Sequence, residues 1–328
     1  MRIRQAMHSA ALSPAAVASE TERRQPSMNI RDWRDADPAD TQWLYAREQD
    51  YWVRELAWDA STAWREIEQA RVTWGLPGRI VIDEHKTIRG WCYCMPDGET
   101  FHLGGIVADD PRVTAALVDA SLDIAAAGAR PARVSSFVPT RADGLEPALV
   151  QRGFSCERYH YLARPVTPPV NSGSSDAIGW QEDLLAASAI LLQAAYGQGG
   201  RHFAPRGLHV EWEHYVRGLV ERPGCGVLEP TITRVVRTSE GMQALVLATR
   251  IAPGTVHLAQ VAVHPSRRRE GLGRRLVDEA CRLAASRGAR LVTLLVGDRN
   301  VAARALYEHM GFTARAAFVA GTLSYRAI

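Results

Sequence analysis

The chain has 328 residues, a net charge of +3 and 46% hydrophobic residues. That length suits two domains of ordinary size, each with its own core, and so slight a positive excess does not point to nucleic acid. Five cysteines (Cys92, Cys94, Cys156, Cys225 and Cys281) make no even framework, which excludes a disulfide-stapled secreted scaffold, and no apolar run approaches the ~18 residues of a membrane span.

Residues 1–27 are basic and Ala-rich, with no acidic residue before Glu20. They lack the continuous apolar stretch of a secretory signal and are read as a disordered tail, or as residues upstream of a start at Met28; a cytoplasmic location is expected. Residues 28–165 hold seven tryptophans, at 33, 43, 52, 58, 64, 74 and 91. Such a cluster packs a core more often than it lines a cleft. Cys92-Tyr-Cys94 alternates as on a strand; with no second Cys/His pair at ligand spacing, two buried thiols are expected and no metal. The run Arg164-Pro-Val-Thr-Pro-Pro-Val-Asn-Ser-Gly-Ser-Ser-Asp176 cannot hold a helix and has little to bury. It places a linker at 166–176 between domains at 28–165 and 177–328.

In the second half, apolar spacing predicts helices over 184–196 and 210–220 and strands over 231–236 and 244–250. Pro253-Gly254 is a turn. A strand over 256–263 leads to a helix over 272–286 with Gly288 at its C-terminal end. A buried strand over 291–296, a helix over 301–309 closed by Gly311, and a strand over 318–326 complete an α+β fold with a largely antiparallel mixed sheet flanked by helices.

The two halves read as diverged repeats. Thr100-Phe-His-Leu-Gly-Gly-Ile-Val107 aligns with Thr255-Val-His-Leu-Ala-Gln-Val-Ala262. Leu117-Val-Asp119 then aligns with Leu276-Val-Asp278, Gly128-Ala-Arg130 with Gly288-Ala-Arg290, and Gly153-Phe154 with Gly311-Phe312. The first half is shorter between its strand and the following helix.

In that place the second half has Val261-Ala-Val-His-Pro-Ser-Arg-Arg-Arg-Glu-Gly-Leu-Gly-Arg274. A strand ends, a proline turns the chain and glycines open a helix. Unpaired N–H groups and the positive end of the helix dipole make such a junction ready for a phosphate or pyrophosphate. Gly271 and Gly273 allow close backbone approach, and Arg268, Arg269 and Arg274 add charge. A P-loop is excluded by the missing Lys-Ser/Thr, a dinucleotide fold by the missing third glycine.

Arg268-Arg-Glu-Gly-Leu-Gly273 resembles the R/Q-x-x-G-x-G/A signature of the GNAT acyltransferase superfamily, and Asn300-Val-Ala-Ala-Arg-Ala-Leu-Tyr-Glu-His-Met-Gly-Phe312 resembles its N-x-x-A-x-x-L-Y-x-x-x-G-F hallmark. The resemblance covers about 178–328 and implies acetyl-CoA as co-substrate. It implies that backbone amides of the segment Val261, Ala262 and Val263 hold the acetyl carbonyl and pantetheine arm. The loop Arg268, Arg269, Glu270, Gly271, Leu272, Gly273 and Arg274 would cradle the pyrophosphate. Asn300 would touch the cofactor arm or hold its loop, and Tyr307 would protonate the departing thiolate. The base is sought at His257, since family members place a Glu or His at this spacing and histidine titrates near neutrality. Its counterpart His102, in a half without the loop, leaves open that it is a packing residue of the repeat. The first half, with Asp109-Asp110-Pro111 in place of the loop, is expected to be a degenerate GNAT-like domain without cofactor.

The function expected is transfer of acetyl from acetyl-CoA to a primary amine, by direct ternary complex. The acceptor is a small molecule or peptide amine, with no nucleic acid or membrane partner, and the chain a monomer or weak homodimer. A non-catalytic acyl-CoA-binding regulator and an acyltransferase with another acyl donor are the alternatives; Gly271-Leu-Gly273 speaks against a tRNA-dependent aminoacyl-transferase. Glu211, Trp212, Glu213 and His214 either meet a cationic aromatic amine or form a solvated helix face.

Overall fold

The computed structural model describes residues 28–128, 131–168, 177–197, 209–221 and 224–325. The tail to residue 27, the linker from 169 to 176 and Arg326 lie outside the described residues. The first half opens with strand β1 (Asn29–Asp32) and helices α1 (Pro38–Tyr51) and α2 (Ser61–Trp74). Asp37 caps α1 by accepting from the Ala39 N–H, with Pro38 in the first turn, where its missing N–H costs nothing. Strands β2 (Gly78–Ile82), β3 (Ile88–Asp97) and β4 (Thr100–Ala108) follow as a meander, then helix α3 (Pro111–Ala127), strand β5 (Arg133–Pro139), helix α4 (Leu145–Gln151) and strand β6 (Ser155–Pro165).

The second half repeats this order. Helices α5 (Leu185–Tyr196) and α6 (His209–Glu221) precede strands β7 (Val227–Leu228), β8 (Arg234–Thr238), β9 (Gly241–Ala252) and β10 (Thr255–Val263). Helix α7 (Leu272–Ser286), strand β11 (Leu291–Gly297), helix α8 (Val301–His309) and strand β12 (Thr313–Ser324) complete it. Both helices around the glycine motifs have the bounds that the spacing predicts. The strand expected over 231–236 starts three residues later, and the last strand starts at Thr313 rather than 318. In β12 the hydrogen-bonded ladder extends into exposed residues that apolar spacing does not mark, whereas Ile232 and Thr233 are buried ahead of β8 without joining its ladder.

The described strands form one twelve-stranded sheet in the order β1-β2-β3-β4-β5-β12-β6-β11-β10-β9-β7, with β8 also on β9. Its pairings are antiparallel except β4–β5 and β10–β11, each the two ends of a helical crossover. The centre of this order reads across the halves. β12, the last strand of the chain, pairs with β5 of the first half (Phe318↔Pro139 to Ser324↔Arg133), and β6 of the first half pairs with β11 (Leu291↔Pro165 to Gly297↔Tyr159). β6 and β12 also pair with each other, so each half ends by adding a strand to the other.

Side chains seal this exchange. Tyr161 donates from its hydroxyl to the Leu56 carbonyl at 2.8 Å, and Leu56, Tyr159, Tyr161 and Phe318 form a buried cluster drawn from both halves. The Asp59 N–H bonds the Ile251 carbonyl at 2.9 Å. Of the tryptophans, Trp33, Trp64 and Trp91 are buried in the first-half core, whereas Trp43 and Trp74 are exposed. Cys92 and Cys94 are both buried on β3 as free thiols. Among the described residues no helix is long and apolar enough to cross a membrane.

One irregularity sets the geometry of both halves. Between Leu258 and Gln260 the β9–β10 register slips, and between Cys92 and Cys94 the β3–β4 register does the same opposite Gly104 and Gly105. A bulge reverses which residues face inward. Val256 and Leu258 pack toward α7 before the bulge, Val261 and Val263 after it. Beyond the bulge the parallel partner departs: β10–β11 pairing ends at Leu258↔Leu294, and β4–β5 pairing ends at Leu103↔Ser136. Each half therefore has a V-shaped opening in the sheet.

Candidate active site

The opening in the second half leads to a cleft of about 780 Å³. One wall is the free flank of β10 at Val261, Ala262 and Val263, past the point where β11 stops pairing. The floor is the β10–α7 loop. Pro265 to Arg267 make one tight turn begun at His264, Arg268 is extended, and Arg269 and Gly271 have φ of 67° and 79°. Gly271 adopts this left-handed conformation without strain; Arg269 pays for it. The Arg268 guanidinium donates to the Ala195 carbonyl, tying the loop to the end of α5.

Helix α7 begins with no side-chain cap and no acidic residue in its first turn. Its first N–H groups and its dipole thus face the cleft unneutralised. The first half makes the opposite choice: Asp110 caps α3 by accepting from the Arg112 N–H, and its carboxylate also bonds the Arg112 guanidinium. The place an anion would take at α3 is filled by the protein's own carboxylate.

The remaining wall comes from α8. Asn300 caps this helix, its side chain accepting from the Ala303 N–H at 3.3 Å, and Asn300, Ala302, Ala303 and Leu306 line the cleft. The turn before it is clamped by β6. His160 bonds Asp298 at 2.9 Å, Asp298 also pairs with Arg304, and the Asp298 N–H bonds the Arg158 carbonyl at 2.8 Å. Beyond Gly271 a second hollow of about 420 Å³ is lined by Arg164, Arg274, Arg275, Asp278 and His309, with Asp278 3.7 Å from Arg164. The two hollows share Gly271 and Arg274.

Thus Val261, Ala262, Val263, Arg268, Arg269, Gly271, Leu272, Gly273, Arg274 and Asn300 come together around one cleft. Glu270 turns aside to pair with Arg267 at 2.8 Å. Tyr307 is 6% exposed and packs on Phe312, one turn beyond Ala303 and behind the lining. His257 does not line the cleft. It is 3% exposed, stacked on Tyr161 at 5.9 Å and beside Trp58 at 5.4 Å, with Nδ1 2.9 Å from the Thr293 hydroxyl. Burial pushes its pKa down to about 4. Lying before the bulge, it faces the closed end of the V. His102 repeats the arrangement, its Nδ1 2.7 Å from the Ser135 hydroxyl on the next parallel strand. Trp212 is buried against Tyr196, while Glu211 and His214 are exposed, so the run 211–214 is a helix with one solvated face.

Sequence reasoning missed Glu157, which lines the same cleft from β6. One of its oxygens lies 2.5 Å from where a Cβ on Gly297 would stand, and it accepts from the Tyr159 hydroxyl at 3.1 Å. No signal in the second half could reveal it, because the residue belongs to the first.

A splayed mixed sheet thus stands over an uncapped, arginine-flanked helix terminus. Residues 211–312 match the Acetyltransferase (GNAT) family. The mycothiol acetyltransferase of Beutenbergia cavernae is 44% identical over 62 residues, which are 19% of this chain and 20% of that protein, so the match spans about a fifth of the relative's length. A GCN5-related N-acetyltransferase from Sphaerobacter thermophilus superposes with a TM-score of 0.62 at 16% identity, over 90% of this chain and 95% of the other. A GCN5-related glucosamine N-acetyltransferase region of a fungal multi-domain GH3 β-N-acetylglucosaminidase gives 0.55 at 14% identity, over 91% and 38%. At these identities the likeness is one of fold, and it extends over both halves.

Proposed function

We propose that the protein transfers an acetyl group from acetyl-CoA to a primary amine at the cleft between β10 and α8. The observation that carries this reading is the contrast between two equivalent junctions. The β10–α7 loop offers an uncapped helix start and arginines, whereas the β4–α3 loop is closed by Asp110. A pyrophosphate fits the first, since a helix N-terminus stabilises an anion by about 0.3–1 kcal/mol even before its N–H bonds are counted. The same carboxylate that neutralises α3 would repel it from the second. In the adjoining hollow Arg274 and Arg275 suit the remaining phosphate of the nucleotide end, while Asp278 pairs with Arg164 there.

Bound there, acetyl-CoA supplies the activated thioester. The chain's own residues position it: the β10 flank beyond the bulge offers backbone N–H groups to a carbonyl, where they would steady the developing oxyanion. Asn300 holds the α8 turn, and Tyr307 is the candidate proton donor to the departing sulfur. His257 is given no such part, since a buried imidazole with so low a pKa is a weak proton acceptor at neutral pH. A relative that shares a fifth of its length with this chain is a mycothiol acetyltransferase by name; it supports acetyl transfer and leaves the acceptor open.

Calorimetry of acetyl-CoA with the whole chain and with Gly271→Glu tests the reading. One site per chain is expected, lost in the variant, whose carboxylate would stand where the pyrophosphate binds. Two sites would overturn the assignment of the first half as cofactor-free, and no binding would overturn the reading itself.

A further inference from the structure

The following rests on the acetyl-transfer reading above. We propose that Glu157, carried on the last strand of the first half, receives the acceptor amine and takes its proton, so that the active site of the second half is completed by the first.

Three observations converge on it. The strand exchange lays β6 directly against β11, with Tyr159 opposite Gly297, and this puts Glu157 in the cleft with Val261 and Asn300. The other charged side chains lining that cleft are Arg267, Arg268, Arg269, Arg274 and Arg299. Such a site repels an ammonium ion unless a carboxylate offsets the arginines, and among the described residues Glu157 is the only acid in the lining. Finally, the carboxylate is held rather than neutralised. Its hydrogen bond comes from the Tyr159 hydroxyl at 3.1 Å, and among the described residues it joins no ion pair. Gly297 gives it room, since a Cβ at this position would lie 2.5 Å from its Oε1 and 3.2 Å from the Tyr159 ring.

The chemistry balances without another reactant. Glu157 first takes the ammonium proton and releases it to solvent, which frees the nitrogen lone pair. The amine nitrogen then bonds to the acyl carbon, its remaining N–H becomes acidic, and that proton passes to the Glu157 carboxylate while the C–S bond breaks. The sulfur leaves as a thiol with a proton from Tyr307, which regains one from Glu157 through solvent. A tandem chain then has a physical reason to stay tandem, because neither half contains a whole site.

The test uses the full chain, acetyl-CoA, and a fixed panel of tryptamine, spermidine, glucosamine and glycinamide, read by thiol release. In E157Q, acetyl-CoA should bind by calorimetry with unchanged affinity while kcat falls roughly 10²-fold or more, as for loss of a proton acceptor. E157D should recover part of the rate. G297A, which displaces the carboxylate without altering it, should also lose turnover and keep acetyl-CoA affinity. E157Q turning over at the wild-type rate would overturn the proposal alone. So would loss of acetyl-CoA binding in E157Q, which would make Glu157 a structural residue. A wild type that binds acetyl-CoA yet releases no thiol with any panel amine would count against acetyl transfer to such amines, and the proposal would fall with it.

Discussion

Phe318→Ala should destabilise both halves of the molecule at once. Phe318 is 4% exposed on β12, opposite Tyr159 of β6 and Pro139 of β5. Its ring stacks on Phe137 at 5.4 Å and tilts against Tyr161 at 6.0 Å. Truncating a buried phenylalanine costs about 3–5 kcal/mol, and the two lost aromatic contacts, at about 0.5–1.5 kcal/mol each beyond area, place this site at the upper end. Against a net stability of order 5–15 kcal/mol, that is a large fraction. Seven of the nine tryptophans lie between residues 33 and 91, so fluorescence during guanidinium unfolding reports the first half. Amide exchange in β9 and β10 reports the second. Because β6 and β12 are exchanged, both signals should move together to lower denaturant. A variant in which exchange in β9 and β10 rises while the fluorescence midpoint stays put would refute the argument that the shared sheet makes the halves one cooperative unit.

Three further outcomes are expected. His257 has its folded pKa pushed from its ordinary 6.5 down to about 4, so the unfolded chain binds the extra proton first. Stability is then fully present above pH 6.5 and falls as pH drops toward 4, by about 3 kcal/mol at 1.36 kcal/mol per unit. His102, lowered by burial in the same direction, adds to it. His257→Gln should flatten that acid slope in denaturation midpoints measured from pH 7 to 4, and an unchanged slope would count against the burial argument. Tyr307→Phe should keep acetyl-CoA affinity by calorimetry and lose roughly 10²-fold in thiol release; full activity would remove Tyr307 from proton transfer. Gly226→Ala places a Cβ 2.6 Å from the Arg250 carbonyl at a φ of 87°, so a lower unfolding midpoint is expected, and an unchanged one would mean that the β7 edge yields freely.

The sequence by itself determined the local structure. Gly271 and Gly273, the arginines around them, and the helices over 272–286 and 301–309 were legible because capping, glycine conformation and helical periodicity are short-range properties. The paired histidines and Gly-Phe steps likewise showed that the halves repeat. What only the tertiary structure decided is which strand lies beside which. A strand's alternation tells its two faces apart but carries no label for its neighbour, so β6 joining β11, and β12 joining β5, could not be read from either half. The bulge at Ala259 brings Val261 and Val263 onto the face of Val256 and Leu258 and so leaves His257 on the other face, and the strand pairing brings Glu157 into the cleft from 140 residues upstream of Gly297 along the chain. Spacing along a sequence measures contour, while a catalytic site depends on distance across the sheet.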